Sequence, residues 1–284
     1  YSPRFPEQYE ETNSQFMGLK LASRGINPSI GSSFHWRRHN DHFLLFRSNP
    51  SFYENIHRSD VLEGQIHLKY SSVLGVTKIG ATLRSEQIVS SALGYSLSMP
   101  EPVNNKDSLF YNYAHQRAHP GLSVNHYLVI EKFKTSAGLL TYFSPIDNKV
   151  KVYPGIDLSY KFNSDWNATA AVNKSMRLPT FTDLFYQGPQ NVGNPDLLPE
   201  EAITFESGLE FKNNGVSSHI SLFYRMGEMT IDWVWQDDEK WHTMNITDLN
   251  TFGGEVSLSI DPVVLFKNQH FLEHLQTFLF LYAY

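Results

Sequence analysis

The sequence predicts an all-β protein whose antiparallel strands form the wall of a transmembrane β-barrel, and three observations predict it. Apolar and polar residues alternate with period two along most of the chain, the pattern of strands that face two different environments. Most alternating runs reach about 9–11 residues, enough to cross a bilayer when tilted, whereas soluble strands average about 5–6. Short turns gather at one end of the strands and the long loops at the other, as they do in outer-membrane barrels, although two connections on the long-loop end, Arg24–Asn27 and the turn at Pro145, are short. A soluble sandwich or propeller would also alternate, but propeller blades recur every ~40–50 residues with shared motifs, and the sequence holds no such repeat.

Composition agrees. Of 284 residues, 41% are hydrophobic and 18% charged, with 20 Phe, 15 Tyr and 5 Trp. That charge fraction is below the ~25% usual for soluble domains. A formal net charge of -6 argues against a nucleic-acid partner. The absence of cysteine excludes disulfides, thiolate metal sites and a cysteine nucleophile. No apolar run approaches about 18 residues, so no transmembrane helix is expected. A mean hydropathy of -0.35 still suits a barrel, because lipid-facing and lumen-facing residues average out. No nucleophile elbow, zincin helix or phosphate loop is present, so neither an enzyme nor a cofactor is expected.

In order, Pro28, Ile30, Ser32, Phe34 and Trp36 share one face, and a turn is expected at Arg38–Asp41. A loop over 48–60 precedes Leu62, Gly64, Ile66, Leu68 and Tyr70, which alternate with Glu63, Gln65, His67 and Lys69. After a turn at Ser71–Leu74 comes a strand through Leu83, then a long irregular segment over 90–121. Strands resume at Leu122, with a turn near Thr135–Ala137 and another at Pro145–Lys149. Val152 to Phe162 and Trp166 to Ser175 flank the turn Asn163–Asp165. The pair Ile203–Phe211 and Val216–Tyr224 flanks Asn213-Asn214-Gly215, a strong hairpin signal. A loop over 227–250 and a strand from Phe252 to Ile260 follow, then an unassigned connection over 261–273 and a last strand from about His274. This gives about 13 strands.

Between Ser175 and Glu201 lies a loop too rich in prolines and glycines to be helix or sheet interior. Its Arg177-Leu178-Pro179-Thr180-Phe181-Thr182-Asp183-Leu184-Phe185 is followed by Gly193-Asn194-Pro195-Asp196-Leu197-Leu198-Pro199-Glu200. Phe205-Glu206-Ser207-Gly208-Leu209 comes next, and Thr251-Phe252-Gly253-Gly254-Glu255 later. Together these resemble the late-barrel signature of TonB-dependent outer-membrane receptors, over roughly residues 166–258. The Arg-Leu-Pro-Thr-Phe-Thr-Asp-Leu form is also similar to vitamin B12 receptor-like members of Bacteroidetes type.

The resemblance implies a 22-stranded barrel with a plug domain and an energy-coupling box, in the outer membrane of a Gram-negative bacterium. It implies TonB-coupled uptake of a scarce large nutrient of the cobalamin or ferric siderophore class. The implied partners are outer-membrane lipid, the TonB complex through a plug that this chain lacks, the nutrient, and a surface lipoprotein. The alternative is a passive porin-like or adhesin-like barrel without energy coupling. The sequence opens on Tyr1-Ser2-Pro3 and stops within the apolar run Phe278–Tyr284, so residues 1–284 are expected to be part of a longer barrel, cut at both ends. An odd number of strands would not close, since single-chain bacterial barrels have even numbers.

The signature reads physically as loop geometry. Pro179 ends ladder pairing, Gly193-Asn194-Pro195 forms a turn, and Pro199-Glu200 restarts a strand. Phe181, Leu184 and Phe185 offer an apolar face for the loop or the barrel rim. Ligand contact is expected instead from loop aromatics: Tyr111, Tyr113, Tyr186, Trp235 and Trp241, with Trp233 and Tyr224 assigned to an interfacial girdle and Tyr186 and Trp241 open equally to either role. His115 and His119 have helical i,i+4 spacing but no accompanying acid, so no metal site is expected. Asp237-Asp238-Glu239 reads as a solvated tip.

Overall fold

In a computed structural model, residues 5–104, 106, 108–246, 248–261, 264 and 278–283 are described. The strands are β1 (Tyr9–Ala22), β2 (Ser29–Leu44), β3 (Glu54–Ser72), β4 (Gly75–Ser90), β5 (Tyr95–Pro102), β6 (Phe110–Ile130), β7 (Phe133–Phe143), β8 (Val150–Lys161) and β9 (Trp166–Arg177). Helix α1 (Phe181–Phe185) and strand β10 (Asn191–Val192) lie in the signature loop. They are followed by β11 (Glu200–Asn213), β12 (Val216–Glu228), β13 (Thr230–Trp235), β14 (Trp241–Ile246), β15 (Leu249–Ile260) and β16 (Phe278–Ala283). Thirteen strands form one antiparallel sheet in the order β1-β2-β3-β4-β6-β7-β8-β9-β11-β12-β15-β16, with β5 paired to β6; β10, β14 and β13 form a separate three-stranded sheet. The large sheet does not close: among the described residues β1 and β16 are its edges.

The continuous register sorts the side chains into two faces. Met17 lies beside Trp36 and Trp36 beside Leu62; Ile66 lies beside Ala81 and Ala81 beside Leu122; Ile156 lies beside Val172, Val172 beside Phe205 and Phe205 beside Tyr224. These rows continue to Phe252. Most of their large apolar side chains are exposed, an area of bare hydrocarbon that water would not tolerate but lipid would. On the opposite face His35 lies beside Glu63 and Glu63 beside Arg84, while Asp157 lies beside Ala171 and Ala171 beside Glu206. A one-residue slip would exchange the two sets, so patterning itself fixes the register.

Three expected boundaries are corrected. Arg38–Asp41 is the interior of β2, not a turn. Its cluster of polar residues marks where the outward row changes from apolar to polar. Segment 90–121 is mostly strand, β5 and the first half of β6, because sheet pairing satisfies the backbone of a run whose side chains do not alternate cleanly. The turn expected at Thr135–Ala137 is at residues 131–132, with Glu131 at φ 49. The expected 13 strands thus equal the number in the large sheet while differing in membership, since β2 is one strand rather than two and β5 is an additional one; the small sheet of β10, β13 and β14 has no counterpart in the expected set. The 48–60 loop narrows to 45–53, with a 3₁₀ turn at Pro50–Phe52, and the 227–250 loop contains the β13–β14 hairpin. The expected start near His274 and most of the 261–273 connection lie outside the described residues.

With these corrections the ends of the wall differ more than the sequence indicated. One end carries the connections 23–28, 73–74, 131–132, 162–165 and 214–215, the other 45–53, 91–109, 144–149, 178–199 and 229–248. The Asn214-Gly215 turn has φ values of 42° and 80°, the left-handed pair that a two-residue hairpin requires.

Candidate functional site

The loop-end site is built on the signature loop. Pro179 ends the ladder of β9 and is fully buried. Thr180 then caps α1: the Asp183 amide donates to Thr180 Oγ1 at 3.0 Å and the Thr180 amide donates to Asp183 Oδ2 at 2.8 Å, a reciprocal capping box. Asn194 closes the loop onto the helix, its amide donating to the Asp183 carbonyl at 2.9 Å. The neighbouring Gly193 amide donates to the Tyr186 carbonyl at 2.6 Å. A Cβ at Gly193 would sit 2.7 Å from the Tyr186 nitrogen and 3.0 Å from the Asp183 carbonyl oxygen, so only glycine fits here. Pro195 is exposed on the turn, whereas Pro199 is buried where β11 begins.

Three charged signature residues meet. Arg177 donates in bidentate fashion to Glu200, Nε to Oε2 at 2.8 Å and Nη2 to Oε1 at 2.7 Å. Its Nη1 donates to Asp183 Oδ2 at 3.2 Å. Glu200 Oε1 also accepts the Ile231 amide at 2.7 Å, which ties the start of β13 to the same carboxylate. Hydrogen bonding to Arg177 holds the Glu200 carboxyl below its ordinary range, the Ile231 amide adds to this, and burial opposes it. Reciprocally, Glu200 and then Asp183 raise Arg177. The spacing between the two signature blocks is thus read as one ion pair between the last residue of β9 and the first of β11, which flank the loop.

The loop folds onto the polar face. Leu184, Phe185 and Leu197 are buried with Ile88, Leu93 and Ile231, and Phe181 and Tyr186 pack against them. His115 of β6 lies between Phe181 and Phe185, at ring distances of 5.6 and 5.0 Å. Arg117 places its guanidinium 4.8 Å from the Phe181 ring and donates to the Pro179 carbonyl at 2.6 Å. Glu86 pairs with Arg117 at 2.6 Å and with Arg84, which reaches Glu63. His119 sits beside the same Glu86 and hydrogen-bonds to Tyr142.

The hairpin β13–β14 completes the site. Asn245 accepts the Leu198 amide at 2.8 Å and donates to the carbonyls of Leu198 and Met229 at 3.0 and 2.7 Å. Strand β10 pairs in parallel with β14, setting Asn191 opposite Trp241. At the hairpin end Trp235 and Trp241 form an edge-to-face pair at 5.4 Å, both well exposed. Tyr186 hydrogen-bonds to Tyr53 at 2.7 Å and meets Trp233 edge-on at 6.4 Å. Burial, and then the Tyr53 hydroxyl, raise the Tyr186 phenol.

With this geometry in hand, comparison with known proteins becomes specific. Residues 8–261 match the family model "TonB dependent receptor-like, beta-barrel". The chain belongs to the TonB-dependent receptor β-barrel family. Among solved structures, the siderophore receptor PirA of Pseudomonas aeruginosa is similar at 13% identity with a TM-score of 0.71, over 98% of this chain and 50% of that one. PirA of Acinetobacter baumannii is similar at 13% identity with a TM-score of 0.66, over 89% and 43%. The copper transporter OprC is similar at 13% identity with a TM-score of 0.69, over 88% and 43%. The chain therefore spans half or less of these structures, and at such identity they show the fold. Comparison with curated proteins gives no match.

As part of a barrel wall of this family, the sheet turns its apolar rows outward and its polar rows to the lumen, so α1 and its loop fold over the lumen side. The five expected ligand aromatics do not form one cluster. Tyr186 is in the site, with Trp235 and Trp241 on the adjoining hairpin. Tyr113 is on β6, paired with Ser90 on the lumen row. Tyr111 is buried with Ile56, Val89 and Val103, and those β3 and β4 residues belong to outward rows. It is a wall residue, not a loop one. Trp233, assigned to a girdle, instead packs on Tyr186, whereas Tyr224 does lie in the outward row between Phe205 and Phe252.

His115 and His119 lie on a strand, so helical spacing has no meaning for them. Glu206, Gly208 and Glu255 are on lumen rows, and Gly254 is on the outward row, where a Cβ would meet Leu222 at 2.9 Å. Sequence reasoning missed Tyr53, Tyr95, His115, Arg117 and Glu86 as supports of the loop. Tyr95, whose ring meets Phe185 at 5.1 Å, His115 and Arg117 fall in the aromatic- and charge-rich segment read as irregular, whereas Tyr53 falls in the expected 48–60 loop and Glu86 just before the irregular segment.

Proposed function

We propose that the complete protein is an outer-membrane receptor of a Gram-negative bacterium that captures a scarce large nutrient at the loop end and imports it through the lumen. The nutrient is of the ferric siderophore or cobalamin class, and import is driven by the TonB complex acting on a plug domain. Residues 1–284 would then supply part of the barrel wall and part of the capture surface, with outer-membrane lipid around the wall and a surface lipoprotein as a further partner at the loops.

One observation carries this reading: a folded loop tied to the lumen wall by Arg117, and to the hairpin by Asn245, presents Tyr186, Trp235 and Trp241 on a rigid support. Aromatic side chains held in place bind large planar or ring-shaped ligands with little loss of conformational freedom. Tyr113 on the lumen row lies along the route inward. A siderophore is the first candidate because receptors for siderophores are among the structural neighbours.

The test is tryptophan fluorescence of the full-length receptor titrated with a panel of ferric siderophores and with cyanocobalamin. Saturable quenching by one of them, reduced at least tenfold in affinity by the paired substitutions Trp235→Ala and Trp241→Ala, is expected. Absence of quenching by every compound, together with ungated passage of small solutes through reconstituted protein, would replace the reading with a passive porin.

A further inference from the structure

We infer that the outer wall of the barrel carries a carbohydrate-binding site immediately above its apolar band, separate from the loop-end capture surface. Along β1, β2 and β3 the last apolar outward row is Met17, Trp36 and Leu62. One step towards the loop end the row becomes Gln15, Arg38 and Asp60, then Asn13, Asn40 and Arg58. Over these rows the β5–β6 connection folds back, so that Val103 and Tyr111 cover Ile56 and Val89. The result is a cavity of about 430 Å³, lined by Asn13, Gln15, Arg38, Asn40, Arg58 and Tyr111 among others. A volume of this order suits a small ligand or one or two sugar rings.

The lining chemistry selects the ligand class. Three cations, Arg38, Arg58 and Lys106, line the cavity, and they are balanced by the lining carboxylates Glu11 and Asp41 and by Asp60, which pairs with Arg38. Arg38 is bidentate to Asp60 at 2.8 and 3.2 Å, and Arg58 lies 3.6 Å from both Asp60 and Glu101. Lys106 contacts His42 rather than a carboxylate, but with as many carboxylates as cations around the cavity little net positive charge remains to attract a phosphate. What remains is a set of neutral and loosely held polar groups. The Asn13, Gln15 and Asn40 side chains bond to no other described residue, and each amide both donates and accepts. Arg58 Nε is buried without a hydrogen bond, its guanidinium resting 5.4 Å from the Tyr111 ring.

Amides that donate and accept, an under-used guanidinium and adjacent carboxylates match the hydroxyls of a hexose, each of which is both donor and acceptor. The height of the site, one row above the hydrocarbon-facing band, puts it level with the headgroups of the surrounding leaflet. The same chemistry would serve a free saccharide.

Native mass spectrometry of the detergent-solubilised full-length receptor tests the proposal, with glucosyl-diacylglycerol, diacylglycerol and phosphatidylglycerol as probes. Glucosyl-diacylglycerol should be retained at least fivefold more than either of the others. Asn40→Ala and Arg58→Met, each checked for retained β-structure by circular dichroism, should each lower that retention at least threefold. Competition by free methyl glucoside would assign the site to free saccharides, and retention of the glycolipid despite it would assign the site to membrane-held headgroups. Equal retention of all three lipids, preference for phosphatidylglycerol, or an unchanged Asn40→Ala protein would overturn the proposal.

Discussion

Arg177 and Glu200 show how one pair of residues can define a loop. Twenty-two residues separate them in sequence, yet they are neighbours in the β9–β11 ladder, so their ion pair closes the base of everything between. The Glu200 side chain is about 10% exposed and that of Arg177 about 44%, so the pair is only partly shielded and its Coulomb energy is modest. The firmer consequence is pH dependence. Glu200 has a folded pKa below its ordinary value of 4.5. Its stabilisation is therefore complete above about 4.5 and is lost as pH falls through the lowered folded value. Cleavage of loop 178–199 by an acid-tolerant protease should stay constant from pH 7 to 5 and accelerate below pH 4. In Arg177→Met the loop should be cleaved faster at neutral pH and show a smaller acid response. An acid response of undiminished size in that variant would mean that other carboxylates govern the loop.

At the scale of elements, the signature loop and the β13–β14 hairpin act as one body because Asn245 bonds to both. Three hydrogen bonds converge on its side chain. At about 0.5–1.5 kcal/mol net for each, their loss in Asn245→Ala comes to roughly 1.5–4.5 kcal/mol of local stability. Hydrogen exchange should accelerate by about tenfold or more across β13, β14 and residues 197–198, with the wall strands unchanged. Uniform acceleration across the wall as well would show that the hairpin is coupled to the whole sheet.

These elements also show what the sequence could and could not reveal. Hairpins such as β11–β12 were legible because alternation and Asn-Gly turn chemistry are local signals. The signature loop was legible as a loop for the same reason. The docking of α1 was not, because it depends on His115 and Arg117, about 60 residues earlier, which β-pairing brings beneath it. Tyr111 illustrates the opposite error. An aromatic in a run without clean alternation resembles a loop residue until pairing with Glu101 fixes it in a strand and packing against Ile56 assigns its face.

At the scale of the whole molecule, the two faces of the wall assign each strand residue an environment, and neighbouring residues receive opposite ones. Val172 and Ala171 make the contrast in the middle of β9. Val172 lies between Ile156 and Phe205 on the apolar side. An arginine there would place charge in hydrocarbon, at a cost of about 2–4 kcal/mol near the bilayer midplane. Ala171 lies between Asp157 and Glu206 on the polar side, so an arginine at that position gains two carboxylate neighbours and remains in the lumen. Val172→Arg should therefore lower the yield of folded full-length receptor in lipid vesicles and shift its urea midpoint downward, while Ala171→Arg should fold like the parent. The same pair compared in detergent micelles, which deform around a charge, should differ less. A reversal of the order, with Ala171→Arg the more damaging, would mean that the lumen wall is packed tightly against another part of the protein at this height, and that crowding rather than polarity governs position 171.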